Sequence, residues 1–229
     1  MKKVFVLLAL MLVLLGGYFI YQEKIAREVA IIKERQIEQE RIRQSKLAAE
    51  KQAFERRLKT KAAEALKYAK ANGYDLQHVM LIDFSVHSGK KRFFVWNQQT
   101  GKVDISSLVA HGYGNEDYRS TATKIIFSNV EGSYASSLGK YRIGIRSYSK
   151  WGINVHYKLH GLEKSNDNAY KRFIVLHSYQ YLPENETYPF HLPLGYSQGC
   201  PVIDDQSMRQ VDALMKTKTK PVLLWMYYD

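Results

Sequence analysis

Cys200 is the only cysteine among the 229 residues of the chain. It stands in Ser197-Gln198-Gly199-Cys200-Pro201, after a run, Tyr188–Tyr196, whose prolines and glycine read as loop. His177-Ser178 lies about twenty residues upstream, at the end of the apolar run Phe173–Leu176. A lone cysteine so placed, with a histidine at a strand end, is a candidate nucleophile and base. The competing reading is a buried structural thiol, because free cysteine is among the most buried residue types. A thiol nucleophile needs a group that favours the thiolate, since the free side chain titrates near about 8.5. It also needs donors aimed at the oxyanion formed on attack, and an open approach. His177 can supply the first. Gly199 permits a tight turn beside the nucleophile, so that the backbone N–H groups of Gly199 and Cys200 become candidate oxyanion donors.

Other polar residues near this pair are candidates for holding a substrate. Ser197 and Ser178 flank it in sequence. Arg172, five residues before His177, is a candidate carboxylate anchor or a surface arginine on a strand flank. His111 lies in a glycine-rich loop and His191 in the loop before Cys200. His156 and His160 alternate with Val155, Tyr157 and Leu159, which places them on one strand face, outer or cleft-lining, with a metal pair as the sharper alternative. Asn166 and Asn168 read as turn residues. No zinc-ligand spacing occurs, and neither a metal nor another cofactor is implied.

The elements that must position these groups are short and mostly extended. Strand signals occur at 79–84, at 92–97, after a hairpin turn at 99–102, and at 140–144, 152–157, 173–177 and 220–228, with one amphipathic helix over 204–216. Many short strands with turn signals predict a mainly β domain, a sandwich or barrel, over 73–229.

The first 72 residues differ. Lys2 and Lys3 precede Val4–Tyr21, an uncharged apolar run just long enough to span a bilayer core as a helix. No small-x-small cleavage site follows it, so 1–22 is expected to be an uncleaved membrane anchor rather than a removed signal peptide. Residues 22–71 hold neither glycine nor proline and are rich in good helix formers. They predict a helical stalk over 23–72, roughly 75 Å long at about 1.5 Å per residue. Leu47, Phe54, Leu58, Ala62, Ala65 and Ala69 form a stripe at helical spacing. A solvated stalk and a coiled-coil-like segment that pairs two copies as a homodimer are the two readings, the second weakened by the polar stretch from Lys33 to Lys46. Asn72-Gly73 is a helix stop. The net charge is +12. Of this, +8 lies in 1–72 and +4 in 73–229, with no basic stripe interleaved with aromatics. Nucleic acid is therefore not an expected partner.

His177 followed by Ser197-x-Gly199-Cys200 resembles the catalytic signature of YkuD-type L,D-transpeptidase domains, and more narrowly of the murein L,D-transpeptidase catalytic domain subfamily. Ile82-Asp83-Phe84-Ser85, Val109-Ala110-His111-Gly112-x-Gly114, Ser136-Ser137-Leu138-Gly139, Gly161-Leu162-Glu163, Asn166-x-Asn168-Ala169 and the closing strand ending at Tyr228 resemble further segments of that subfamily. The resemblance covers about 64–229. It departs at Ser178, where the family usually has glycine, and at Pro201-Val202, where the better-known branch has an arginine shortly after the cysteine. It implies a Cys200 acyl-enzyme on peptidoglycan stem peptides with His177 as general base, oriented by a backbone carbonyl, in L,D-transpeptidation or in L,D-carboxypeptidase or endopeptidase cleavage. Together with the anchor it implies a single-pass protein of a bacterial inner membrane with its catalytic domain in the periplasm. The alternatives are a non-catalytic peptidoglycan-binding or tethering protein, and a sortase-like enzyme using Arg209, nine residues after Cys200.

Overall fold

The computed structural model describes residues 2–117, 119–120 and 124–229, and within 2–9 the only side chain described is that of Phe5. The chain divides into two compact units, 1–57 and 58–229. Helix α1 (Lys2–Ala71) runs through the first and into the second. Its length follows from the absence of helix breakers after Gly17.

The membrane anchor expected over 1–22 is corrected by the structure. Among the described residues no helix is long and apolar enough to cross a membrane. Val4 and Val6–Ala9 of the expected span lie outside the described side chains. The single-pass inner-membrane localisation with a periplasmic domain is corrected with it. The homodimer through a coiled coil is likewise unsupported. Ile25, Val29, Ile32, Ile37, Ile42 and Leu47 are exposed and scattered, without the sustained 3.5-residue repeat that a seam needs.

The second unit is built on one mixed sheet. Its strands are β1 (His78–Asp83), β2 (Phe93–Asn97), β3 (Lys102–Ser107), β4 (Val109–Ala110), β5 (Gly139–Tyr148), β6 (Val155–Gly161), β7 (Val175–Ser178), β8 (Val202–Ile203) and β9 (Leu223–Tyr227). The order across the sheet is β3-β2-β1-β9-β5-β6-β7-β8-β4. Only β1–β9 and β7–β8 are parallel. The two outermost strands, β3 and β4, are separated in sequence by Leu108 alone, so the sheet curls into a nearly closed barrel. The class is therefore mixed helix and strand, not mainly β with a transmembrane helix: α1 alone takes 70 of the 229 residues.

Inside the barrel, Met80, Ile82, Phe93, Val95, Tyr141, Leu159, Leu176, Leu224 and Met226 form the main core. Each such side chain contributes roughly 1.5–3 kcal/mol when fully buried. Strands β1 and β2 are buried on both faces. The last turns of α1 supply part of the cover: Leu58, Ala62, Ala65 and Ala69 are buried at i, i+4, i+7 and i+11, and Lys61 Nζ lies 4.7 Å from the Trp225 ring of β9. Helix α2 (Asp205–Lys216) buries Met208 and Val211, and the Asp204 side chain caps it by accepting from Ser207 N–H at 2.7 Å.

Candidate active site

Strand β8 runs parallel beside β7, pairing His177 with Val202 and Ser178 with Ile203. This register carries the turn 197–201 to the end of β7. Cys200 and His177 line one cavity of about 670 Å³, together with Arg172, Ser197, His156, Trp151, Tyr179 and Tyr196.

The imidazole of His177 is buried, and its Nδ1 lies 2.9 Å from Ser178 O. A carbonyl oxygen only accepts, so Nδ1 carries the proton and Nε2 is left with the lone pair. Burial holds the pKa of His177 below the usual histidine value, against the Ser178 hydrogen bond and with some help from His156. The ring is thus neutral and basic at neutral pH. His156 is its direct cross-strand partner on β6 and is also held below its usual value, chiefly by burial.

The Cys200 side chain is half-buried. Its Sγ accepts from Val175 N–H at 3.5 Å and faces Phe173 O at 3.8 Å. Burial pushes the thiol up, while the Val175 N–H and the positive charges of Arg172 and Lys158 oppose that shift. The resting state is a thiol.

Ser197 shapes the turn. Its Oγ donates to Cys200 O at 2.6 Å and accepts from Gly199 N–H at 3.0 Å. Gly199 has φ +115°, and a Cβ there would lie 2.8 Å from Ala135 O. The Gly199 N–H is therefore engaged by Ser197. The Cys200 N–H has no hydrogen-bond partner among the described residues.

Ser178 is fully buried behind the cavity, where its Oγ accepts from Ile153 N–H at 3.1 Å. Gly152, at φ +57°, makes room for it: a Cβ there would lie 2.0 Å from Ser178 Oγ. The bulk added at Ser178 is thus accommodated by a glycine opposite. The Arg172 guanidinium donates to Ser128 O at 2.8 Å, Ala135 O at 2.6 Å and Ser133 Oγ at 3.3 Å. It braces the segment 128–135 against Gly199 while keeping a positive charge near the thiol.

His111 and His191 are placed elsewhere. Both line a second cavity, of about 260 Å³, with His87, Ser88, Arg92 and Tyr228. His160 stacks on Tyr170 at 4.8 Å. No group of His, Cys, Asp and Glu fit to hold a metal ion occurs among the described residues. Arg209 lies on the exposed side of α2. Sequence reasoning missed the aromatic wall, in which Trp151–Tyr179 and Tyr179–Tyr196 ring centroids are 5.6 and 5.4 Å apart. It also did not pair His156 with His177, and only the β6–β7 register reveals that.

The profile of the L,D-transpeptidase catalytic domain family matches residues 50–227, and the chain belongs to that family. No curated protein matches the chain significantly. Among solved structures, a point mutant of the helical cell shape determining protein Pgp2 from Campylobacter jejuni matches with 13% identity and a TM-score of 0.44, covering 68% of this chain and 49% of its own. Bd1075 from Bdellovibrio bacteriovorus matches with 14% identity and a TM-score of 0.38 over 68% of this chain and 49% of its own. An L,D-transpeptidase from Xylanimonas cellulosilytica matches with 11% identity and a TM-score of 0.35 over 70% and 68%. The chain spans about half the length of the first of these structures.

Proposed function

We propose that this protein is a cysteine acyl transferase acting on peptidoglycan stem peptides. The observation that carries the reading is the hydrogen bond from His177 Nδ1–H to Ser178 O, which leaves Nε2 as the basic nitrogen in the cavity that Cys200 also lines. Family membership supports the substrate class. In the proposed reaction, His177 Nε2 takes the Sγ–H proton as sulfur attacks the carbonyl carbon of the third stem residue, a diaminopimelate or its equivalent. The tetrahedral oxyanion is met by the Cys200 N–H. The imidazolium then gives its proton to the departing amine of the terminal D-alanine, leaving a thioester. An acceptor amine, or water, attacks the thioester while His177 takes its proton, and the thiol is restored. Among the predicted binding residues, Ser197 shapes the nucleophile turn, Arg172 supplies positive field and Ser178 supplies the orienting carbonyl.

A second reading, a non-catalytic stem-peptide binder, is favoured by one observation: the Gly199 N–H is bonded to Ser197 and is not aimed at a ligand. Mass spectrometry of the full chain with a stem tetrapeptide, with and without an amine acceptor, separates the two. Loss of D-alanine, and a carbapenem adduct on Cys200 that disappears in Cys200→Ala, support the enzyme. An unreactive thiol with intact peptide binding supports the binder. Cross-linked product against hydrolysed product then decides between transfer and hydrolysis.

A further inference from the structure

The second cavity is lined by three histidines that the proposed acyl transfer does not use. They come from three loops: His87 after β1, His111 after β4, and His191 in the segment before Cys200. In His87 and His111 the Nδ1 faces an obligate donor. Gly89 N–H donates to His87 Nδ1 at 3.0 Å. Arg92 Nη2 donates to His111 Nδ1 at 2.8 Å. Ser88 Oγ accepts from Leu192 N–H at 3.1 Å and lies 2.9 Å from His191 Nδ1, a contact that either tautomer of His191 can make. A neutral imidazole whose Nδ1 accepts must carry its hydrogen on Nε2. The cavity is thus lined by two Nε2–H rings, His87 and His111, with His191 beside them. His111 is 4% exposed, and its Nε2 has no partner among the described residues.

The charges around these rings select the sign of the ligand. Arg92 is fully buried; burial lowers its pKa to about 9, so it stays cationic at neutral pH. Asp83 is the nearby carboxylate, and its Oδ1 accepts from Ser85 N–H at 3.0 Å. On His111, burial acts first and Arg92 and His191 next, all lowering, to about 3. On His87, burial, His191, Arg92 and Lys90 all act in the same direction. His87 and His111 therefore sit in a positive field and remain neutral donors. Nε2–H groups present no lone pair to a metal cation, and the field repels one.

We propose that this cavity binds a small oxyanion, a carboxylate or a phosphate, held by the Nε2–H groups of His87 and His111. The His111 loop also touches the nucleophile turn. Gly112 N–H donates to Ser136 Oγ at 3.0 Å, and Ser136 Oγ donates to Gly199 O at 3.1 Å. A Cβ on Gly112 would lie 2.6 Å from Gly199 N.

The test is nitrogen NMR of histidine-labelled full-length protein at neutral pH, titrated separately with acetate and with inorganic phosphate. The expected result is a saturable shift of the His111 Nε2 resonance, with apparent affinity lowered about tenfold by His87→Ala, which removes a half-buried donor. Saturation by acetate alone identifies a carboxylate ligand, and saturation by phosphate alone a phosphate. The titration in Cys200→Ala gives the same result, which separates this site from the acyl-transfer reading. No saturable shift with either anion overturns the proposal. So does a response of the three rings to zinc with none to the anions.

Discussion

The two cavities of the second unit use one residue type in opposite ways. In the larger, the Nδ1 of His177 faces an acceptor, Ser178 O, and a basic nitrogen remains. In the smaller, the Nδ1 atoms of His87 and His111 face donors, and a proton remains on the Nε2 of each. Burial depresses both His177 and His111, so neither charges at neutral pH. What divides a base from a hydrogen-bond donor here is the partner of the far nitrogen.

The largest expected effect breaks the comparison at the larger cavity, where acyl transfer is proposed. His177→Ala should lower the rate of Cys200 acylation by about 10²–10⁴-fold, read as adduct formation against time, with little change in the thermal midpoint. Ser197→Ala removes the bonds to Cys200 O and Gly199 N. It should cost about 1–3 kcal/mol of stability in urea unfolding and reduce acylation by roughly 10–100-fold through misplacement of the nucleophile. Gly152→Ala should cost about 1–3 kcal/mol, because it strains a left-handed residue and drives a methyl into Ser178 Oγ. Pairing it with Ser178→Gly should recover part of that loss, a coupling that a double-mutant cycle measures.

The smallest effects are those of pH. Burial raises the Cys200 pKa. Iodoacetamide alkylation, followed by mass spectrometry, should therefore keep accelerating above the usual thiol range. His111 has a folded pKa of about 3 against an ordinary 6.5. A depressed histidine pKa contributes stability that is fully present above the unfolded value and is lost as pH falls from about 6.5 toward about 3. The urea midpoint should decline across that window, and less steeply in His111→Gln.

Legibility in the sequence follows the range of the interactions. The two residues singled out, Cys200 and His177, were readable because a strand end and a Ser-x-Gly-Cys turn are local signals, and the structure places both on one cavity. The helix over 22–71 was readable because nothing in it breaks a helix. The separation of His111 and His191 from Cys200 was not. It depends on β4 and β8, two-residue strands too short to show a period, and on the Gly89 carbonyl accepting from Thr187 and Tyr188 N–H across about a hundred residues. The apolar start suggested a membrane span by composition alone, and the mainly β class underweighted a helix of 70 residues. The engagement of the Gly199 N–H was hidden for another reason: Ser197 can serve a ligand or its own turn, and only geometry distinguishes them.

Leu108 carries a last consequence. It is fully buried, and it joins the strands at the two ends of the sheet order. The segment 102–110 therefore pairs with β2 over its first part and with β8 over its second. A sheet closed through one bent strand offers little free backbone for a strand of another molecule to extend. Self-association of this unit by edge-to-edge strand addition is thereby discouraged, and insertions at Leu108 would reopen the seam.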